Sequence, residues 1–147
     1  PRQKIVKDLL RIADLAAAKH IRIGLEFHGG TLTDALTSCK KLIFEEANHP
    51  NLYTYWQPPV GSKFADNLAA IKELGDKVTA CHVFSWELED GKIVRYPLAH
   101  HQKEFAGYLR TIQPKNFLYA GLEFVINDDL AEFRNDAATF GSLIHEI

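Results

Sequence analysis

The sequence is poor in cysteine, in net charge and in long apolar runs, and each shortage excludes a class of protein. Its two cysteines, Cys39 and Cys81, show neither a metal-binding nor a disulfide spacing, so we interpret both as reduced, buried thiols. A formal net charge of −2 gives no electrostatic reason to expect nucleic acid or a membrane surface as a partner. No apolar run approaches the roughly 20 residues of a membrane span, and no signal-peptide pattern opens the chain. These features predict a cytoplasmic protein.

Methionine is absent altogether, and the chain begins with Pro1. Because natural reading frames start with methionine, we expect the natural start to lie outside this sequence. The residues that are present are typical of a globular domain, since 46% of the 147 are hydrophobic and 24% are charged. That length suffices for one domain with a buried core, and the composition shows no sign of disorder.

Short apolar runs alternate with helical patterns along the whole chain, in the order α-βα-βα-βα-βα. The predicted strands are 21–27, 52–56, 77–86 and 116–125. The predicted helices are 4–20, 31–47, 64–75, 100–112 and 128–147, with a long polar loop over 87–99. We expect Ile5, Leu9, Ile12 and Ala16 to form the buried stripe of the first helix. Thr31, with an acidic residue three positions later, resembles a capping box that opens the second.

This alternation predicts an α/β protein with a parallel sheet and crossover helices. Four βα units suit either a small open doubly wound sheet or half of a (β/α)₈ barrel, which typically needs about 250 residues. The opening helix favours the half-barrel, because it would belong to a preceding βα unit. We therefore expect residues 1–147 to form one domain, the C-terminal half of a TIM barrel whose N-terminal half is missing from this sequence.

Four polar residues stand at the ends of the predicted strands, namely Glu26, Gln57, His82 and Glu123. The carboxyl ends of successive parallel strands converge on one site, so these side chains are expected to meet there. Two carboxylates, an imidazole and an amide oxygen suit one divalent metal ion. Two carboxylates that face each other across a substrate also suit the abstraction and return of a proton, with Glu26 and Glu123 as the pair.

Further candidates surround these strand ends. His28 lies in the loop after the first strand and is a candidate substrate contact. Trp56 and Trp86 are candidates to stack on the face of a sugar ring. Arg95 is a candidate to meet phosphate or hydroxyl groups of a substrate.

Several segments of the chain resemble the C-terminal half of the xylose-isomerase-like TIM-barrel family, the sugar phosphate isomerases and epimerases. They are LEFHGG, YWQPP, CHVFSWE with RYPL, and GLEFV followed by DDLAEFRNDAATF. In that family a Glu, an Asp, a His and a Glu from four strands bind one divalent metal, and the two glutamates form the acid/base pair. The resemblance places Glu26, His82 and Glu123 in the first, third and fourth positions. Gln57 stands where the family has Asp, and Pro59-Val60 stands where it has a further His.

Three functions follow from these observations. The leading hypothesis is a sugar or sugar-phosphate isomerase or epimerase that depends on Mn, Mg, Zn or Co. The second is a degenerate barrel that binds a carbohydrate or a protein partner without catalysis, which the Gln at position 57 motivates. The third is a phosphodiesterase resembling AP endonucleases. A half-barrel leaves two sheet edges unpaired, so either the missing half or a homo-oligomer is expected to cover them.

Overall fold

The computed structural model describes residues 2–112 and 119–146. The helices are α1 (Arg2–Ala17), α2 (Leu36–Lys40, continued by a π-helical segment over Lys41–Glu46), α3 (Phe64–Leu74), α4 (Gln102–Thr111) and α5 (Leu130–His145). The strands are β1 (Ile23–Glu26), β2 (Leu52–Trp56), β3 (Val78–Val83), β4 (Trp86–Glu89), β5 (Lys92–Arg95) and β6 (Tyr119–Leu122). The first part of the predicted fourth strand, 116–118, lies outside the described residues.

Four of these strands form one parallel sheet in the order β1-β2-β3-β6, and every neighbouring pair is parallel. Because the strands are parallel, all their carboxyl ends lie at the same edge of the sheet. A helix in each connection returns the chain to the opposite edge. The predicted α/β class, with four parallel strands and flanking helices, is confirmed.

The core lies between one face of this sheet and the helices α2 to α5. Trp56, Cys81 and Val83 on the strands are completely buried, and they pack in one cluster with Ile71 of α3 and Leu109 of α4. Both cysteines are buried and free, as predicted. Burial raises the pKa of the Cys39 thiol to about 11 and also raises that of Cys81.

The predicted loop over 87–99 is wrong in part, because β4 and β5 form an antiparallel hairpin there. Asp90 and Gly91 connect the two strands with φ values of 47° and 76°. A two-residue connection with positive φ at both positions matches the twist of a hairpin, and Asp-Gly is a preferred sequence for it. The Asp-Gly dipeptide was therefore a signal in the sequence for the hairpin. The register of the hairpin places Trp86 opposite Arg95.

The expected stripe of α1 is also wrong in part. Leu9 is buried, but Ile5 and Ile12 are 47% and 45% exposed, and Ala13 is the fully buried residue instead. The helix packs its Leu9–Ala13 side against Leu52 and its neighbours. Within residues 2–112 and 119–146 no strand pairs with the outer side of β1, so the other side of α1 has nothing to pack against.

The predicted capping box does not form. α2 begins at Leu36, and its N-cap position lacks a side-chain hydrogen bond. The Thr31 hydroxyl instead donates to the His28 carbonyl oxygen at 2.6 Å and accepts from the Thr33 amide at 3.1 Å. It therefore closes the loop that carries His28. Among the described residues, no helix combines the length and the apolar character needed to cross a bilayer.

Candidate active site at the strand ends

The sheet brings together all four predicted strand-end residues. Glu26 is the last residue of β1, Gln57 and Glu123 follow β2 and β6, and His82 lies near the end of β3. The Nδ1 atom of His82 lies 2.5 Å from Gln57 Oε1, 3.3 Å from Glu123 Oε2 and 3.6 Å from Glu26 Oε1. One ligand atom from each of Glu26, His82 and Glu123 lies within 4.8 Å of the other two. The convergence predicted from the sequence is therefore present.

The hydrogen bond between His82 and Gln57 determines which imidazole nitrogen carries a proton in this arrangement. An amide carbonyl oxygen only accepts, so Nδ1–H of His82 is the donor to Gln57 Oε1. The same N–H faces both carboxylates, which places its partial positive charge between them. A metal ion bound through Nδ1 would require this proton to leave and the amide of Gln57 to rearrange.

The Glu123 carboxylate has a perturbed affinity for protons. Partial burial raises its pKa, and the nearby Glu26 raises it further, whereas His82, His28 and Arg95 act in the opposite direction. Burial penalises the charged form, and a second carboxylate nearby repels it. The net effect is a carboxylate that is a stronger base than an exposed glutamate.

The buried side chain of Thr33 holds the end of β1 in position at the site. The hydroxyl of Thr33, which is 4% exposed, donates to the main-chain oxygen of Glu26 at 2.5 Å. Since Thr33 also belongs to the loop closed by Thr31, this bond joins the His28 loop to the end of β1. The loop conformation and the position of Glu26 are therefore coupled.

His28 and Arg95, the predicted substrate contacts, lie near Glu123, and their binding roles stay predictions. Both act on the pKa of Glu123, although His28 is exposed and its Nδ1 contacts the adjacent Gly29 oxygen at 2.8 Å. The Arg95 guanidinium donates to the Val125 carbonyl oxygen at 3.3 Å and to Asp128 at 2.5 Å. These bonds hold its charge close to the end of β6.

Trp86 is half-buried at the edge of an aromatic cluster. Its ring lies 4.1 Å from that of Phe84 and 5.0 Å from that of Phe124, measured between centroids. Arg95 lies over the Phe124 ring at 4.4 Å. The position of Trp86 is compatible with the predicted substrate contact.

Trp56 does not have the predicted position. It is completely buried and belongs to the core cluster, with its ring 5.1 Å from that of Tyr108. Successive residues of a strand point to opposite faces, so Trp56 lies under the helices while its neighbours Tyr55 and Gln57 face the site. The prediction that Trp56 contacts the substrate is therefore wrong, because a ring without exposed surface cannot stack on a sugar.

The residue that the sequence reasoning missed is Tyr55. Its ring centroid lies 3.9 Å from that of His82, at an angle of 56°, and 5.6 Å from that of Tyr119. Burial raises the pKa of the Tyr55 hydroxyl, so it remains protonated and able to donate. Its period-two spacing from Gln57 was a signal that could have identified it.

Two cavities lie near the strand ends. The larger, of about 450 Å³, lies between the loop after β2, the start of β4 and α4, and its lining includes Phe84, Trp86 and His101. The smaller, of about 340 Å³, is lined by residues 122–125, 128–130 and 133, and so includes Glu123. Of the four strand-end residues, Glu123 alone lines either of these two cavities, as far as the described residues show.

A comparison with solved structures finds the probable 3-DHS dehydratase AsbF of Bacillus anthracis, described as involved in petrobactin synthesis. The TM-score is 0.69 and the sequence identity is 21%. The match covers 95% of this chain and 55% of that one, so the chain spans about half the length of the structure it resembles. No family model and no curated protein match the chain.

At this identity the likeness shows the fold alone. The four parallel strands and their helices correspond to part of a TIM barrel. The assignment of the chain to the C-terminal half stays a prediction, as do the roles of the four strand-end residues.

Proposed function

We propose that this chain carries the active site of a metal-dependent isomerase or epimerase for a sugar or sugar phosphate. One observation carries the proposal: Glu123 and Glu26 approach the same nitrogen of His82, at 3.3 Å and 3.6 Å. Two carboxylates held this close on separate strands form a ready pair for moving a proton. The TIM-barrel fold supports it, since such enzymes have their active sites at the carboxyl ends of the strands.

The residues present fit a divalent cation. Glu26, His82 and Glu123 would hold it, with Gln57 as a neutral fourth ligand. Burial and, to a smaller extent, repulsion from Glu26 raise the pKa of Glu123, and a positive charge between the two carboxylates would offset that repulsion. When bound, such an ion (Mn²⁺, Mg²⁺, Zn²⁺ or Co²⁺) would polarise the carbonyl group of the substrate.

The two glutamates would then share the proton transfer. One glutamate, in its ionised form, takes the proton from the carbon beside the carbonyl. In epimerisation the other glutamate, protonated beforehand, gives its proton to the opposite face of that carbon. In isomerisation the proton is returned to the former carbonyl carbon, and the hydroxyl proton passes to the former carbonyl oxygen. Tyr55, which contacts the His82 ring, keeps that ring in place between them.

The surroundings of the glutamates suit a polar, anionic or hydroxylated ligand. His28 and Arg95 supply donors and positive charge beside Glu123. Trp86 and Phe124 offer aromatic surface next to Arg95. A sugar phosphate combines all three requirements, since it has hydroxyl groups, an apolar ring face and a dianionic group.

Solvent proton exchange tests the proposal directly. Ketoses and ketose phosphates would be incubated with the protein in D₂O, and deuterium at the carbon beside the carbonyl would be followed by NMR. We expect Glu26→Gln and Glu123→Gln each to slow exchange by about 10²- to 10⁴-fold, the usual worth of a positioned acid or base. Both substitutions should also lower the bound metal, measured by elemental analysis.

Glu45→Gln is the matched control, because Glu45 is an exposed glutamate on the π-helical segment. It should leave both exchange and metal content unchanged. Exchange and metal content that stay at wild-type level in both strand-end variants would contradict the proposal.

A dehydratase is the second candidate, and the likeness to AsbF favours it. Loss of water from a β-hydroxy carbonyl compound begins with the same abstraction beside the carbonyl, and the second glutamate, in its protonated form, then donates a proton to the hydroxyl group, which departs as water. Product analysis separates the two reactions. Appearance of a conjugated carbonyl absorbance would favour elimination, whereas an epimeric or isomeric product of equal mass would favour the first candidate.

A binding protein without catalysis is the third candidate, and the Gln57–His82 hydrogen bond favours it. In that bond Nδ1 of His82, the nitrogen that faces both carboxylates, already has Gln57 as its partner. Turnover of any ketose or ketose phosphate that requires Glu26 would exclude this reading.

A further inference from the structure

We propose that Glu87, His100 and His101 form a second cation site, for a divalent transition metal such as Zn²⁺. Glu87 Oε1 lies 2.7 Å from Nε2 of His100 and 3.6 Å from Nε2 of His101. One ligand atom from each residue lies within 4.8 Å of the other two. These three residues belong to no part of the strand-end site.

The fold holds the three ligands on two different elements. Glu87 lies on β4, and the two histidines occupy the helical turn over Leu98–His101 that leads into α4. This turn is anchored by the buried carboxylate of Asp136 on α5, which accepts from the Leu98 amide at 2.8 Å. The ligands are therefore placed by packed structure and not by a free loop.

Each imidazole is also oriented by a partner that leaves Nε2 available. Nδ1 of His101 lies 2.8 Å from the hydroxyl of Ser85, which is 4% exposed. The ring of His100 stacks on that of Tyr96 with centroids 4.5 Å apart and planes at 15°. Partners of this kind fix the ring orientation of metal-binding histidines in proteins.

The donor set indicates the class of ion. Two imidazoles and one carboxylate are typical of Zn²⁺ and similar transition metals, whereas Mg²⁺ and Ca²⁺ prefer oxygen ligands alone. Bonds of about 2.0–2.1 Å to Zn²⁺ put neighbouring ligand atoms roughly 3.3 Å apart in a tetrahedron. The observed 2.7 Å and 3.6 Å bracket that separation, so small side-chain movements would suffice.

The position of the cluster relates it to the larger cavity. Glu87 and His101 both line this cavity of about 450 Å³, together with Glu104. An ion held by the three ligands would therefore lie at its rim. Three protein ligands leave a tetrahedral ion one further position, for water or for an added ligand.

Zinc titration of the whole chain tests the proposal after treatment with a chelator. Isothermal titration calorimetry with Zn²⁺ would be performed on wild type, His100→Ala, His101→Ala and Glu87→Gln. We expect each substitution to weaken one Zn²⁺ site by at least about tenfold, which corresponds to ~1.4 kcal/mol. His145→Ala is the matched control, because His145 is an exposed histidine at the end of α5.

The double variant Glu26→Gln/Glu123→Gln separates this site from the strand-end site. If it binds Zn²⁺ and loses that binding on addition of His101→Ala, the second site is supported whatever happens at the strand ends. The proposal is overturned if His100→Ala and His101→Ala bind Zn²⁺ with the same affinity as His145→Ala and with the same number of Zn²⁺ ions per chain. Circular dichroism of each variant shows whether it has folded. If a variant does not fold, the absorbance of Co²⁺ bound to the wild-type protein provides a second measurement.

Discussion

The two faces of the parallel sheet carry residues that alternate along the same strands but have opposite surroundings. On the covered face, Trp56 and Cys81 are completely buried beneath the helices. On the other face, Gln57 and His82, the residues that directly follow them, contact each other and the strand-end glutamates.

This difference indicates a division of roles between adjacent residues. Packing on the covered face stabilises the sheet, and the sheet in turn holds the polar groups of the open face in position. We expect the two functions to be separable by substitution, because adjacent side chains of a strand point to opposite faces of the sheet. The following predictions test that separation, beginning with the covered face.

Removal of the largest buried side chain should be the most damaging change to stability. We expect Trp56→Ala to lower the free energy of unfolding by about 3–5 kcal/mol, because it leaves a large cavity in the core. Chemical denaturation monitored by circular dichroism measures the loss. Trp86→Ala, at a half-buried position, is the control and should cost clearly less. Equal losses would show that the two tryptophans do not differ as their burial implies.

On the open face, Gln57→Asp should change metal affinity. A third carboxylate next to His82 adds attraction for a divalent cation, and we expect binding to tighten by at least about tenfold, or ~1.4 kcal/mol. Gln57→Asn is the control, since it has the same shorter length and no charge. Metal titration by calorimetry gives both affinities. Equal affinities for the Asp and Asn variants would place Gln57 outside the metal site.

A smaller effect concerns the dependence of stability on pH. The folded protein raises the pKa of Glu123 above its ordinary value of 4.5, so the folded state holds that proton more tightly than the unfolded chain. The resulting stabilisation is present below the ordinary pKa and is lost as pH rises through the raised pKa. Glu123→Gln removes this loss, so without metal the variant should be slightly more stable than wild type near neutrality.

Urea denaturation in the presence of a chelator, from about pH 4 to about pH 8, measures this difference. The stability gap between Glu123→Gln and wild type should widen in favour of the variant across that range, while Glu45→Gln should follow wild type. A gap that does not change with pH would contradict the raised pKa.

Sequence patterns were sufficient for the five helices, for the four parallel strands and for the meeting of the four strand-end residues. Strand and helix periodicities are local, and the carboxyl ends of parallel strands share one edge, so Glu26 and Glu123 could be brought together in prediction although far apart in the chain. The hairpin could also have been recognised, since the Asp90-Gly91 turn is a local signal. The long polar appearance of 87–99 concealed it.

The burial of individual side chains could not be predicted in the same way. Alternation along the strand puts Tyr55 and Trp56 on opposite faces of the sheet. The helices packed over one face decide that Trp56 is the completely buried residue of the two. The buried side of α1 was misjudged for a related reason. Leu9 and Ala13 are buried because they face Leu52, whereas Ile5 has the same apolar character but nothing to cover it.

The order of the elements, the class of fold and the identity of the strand-end residues are written in local patterns of the chain, because hydrogen bonding and side-chain periodicity act over a few residues. The distances around His82, the hydrogen bond that occupies its Nδ1, the raised pKa of Glu123 and the Glu87–His100–His101 cluster exist only in the folded chain. They depend on contacts between residues distant in sequence, and packing in three dimensions alone determines those contacts.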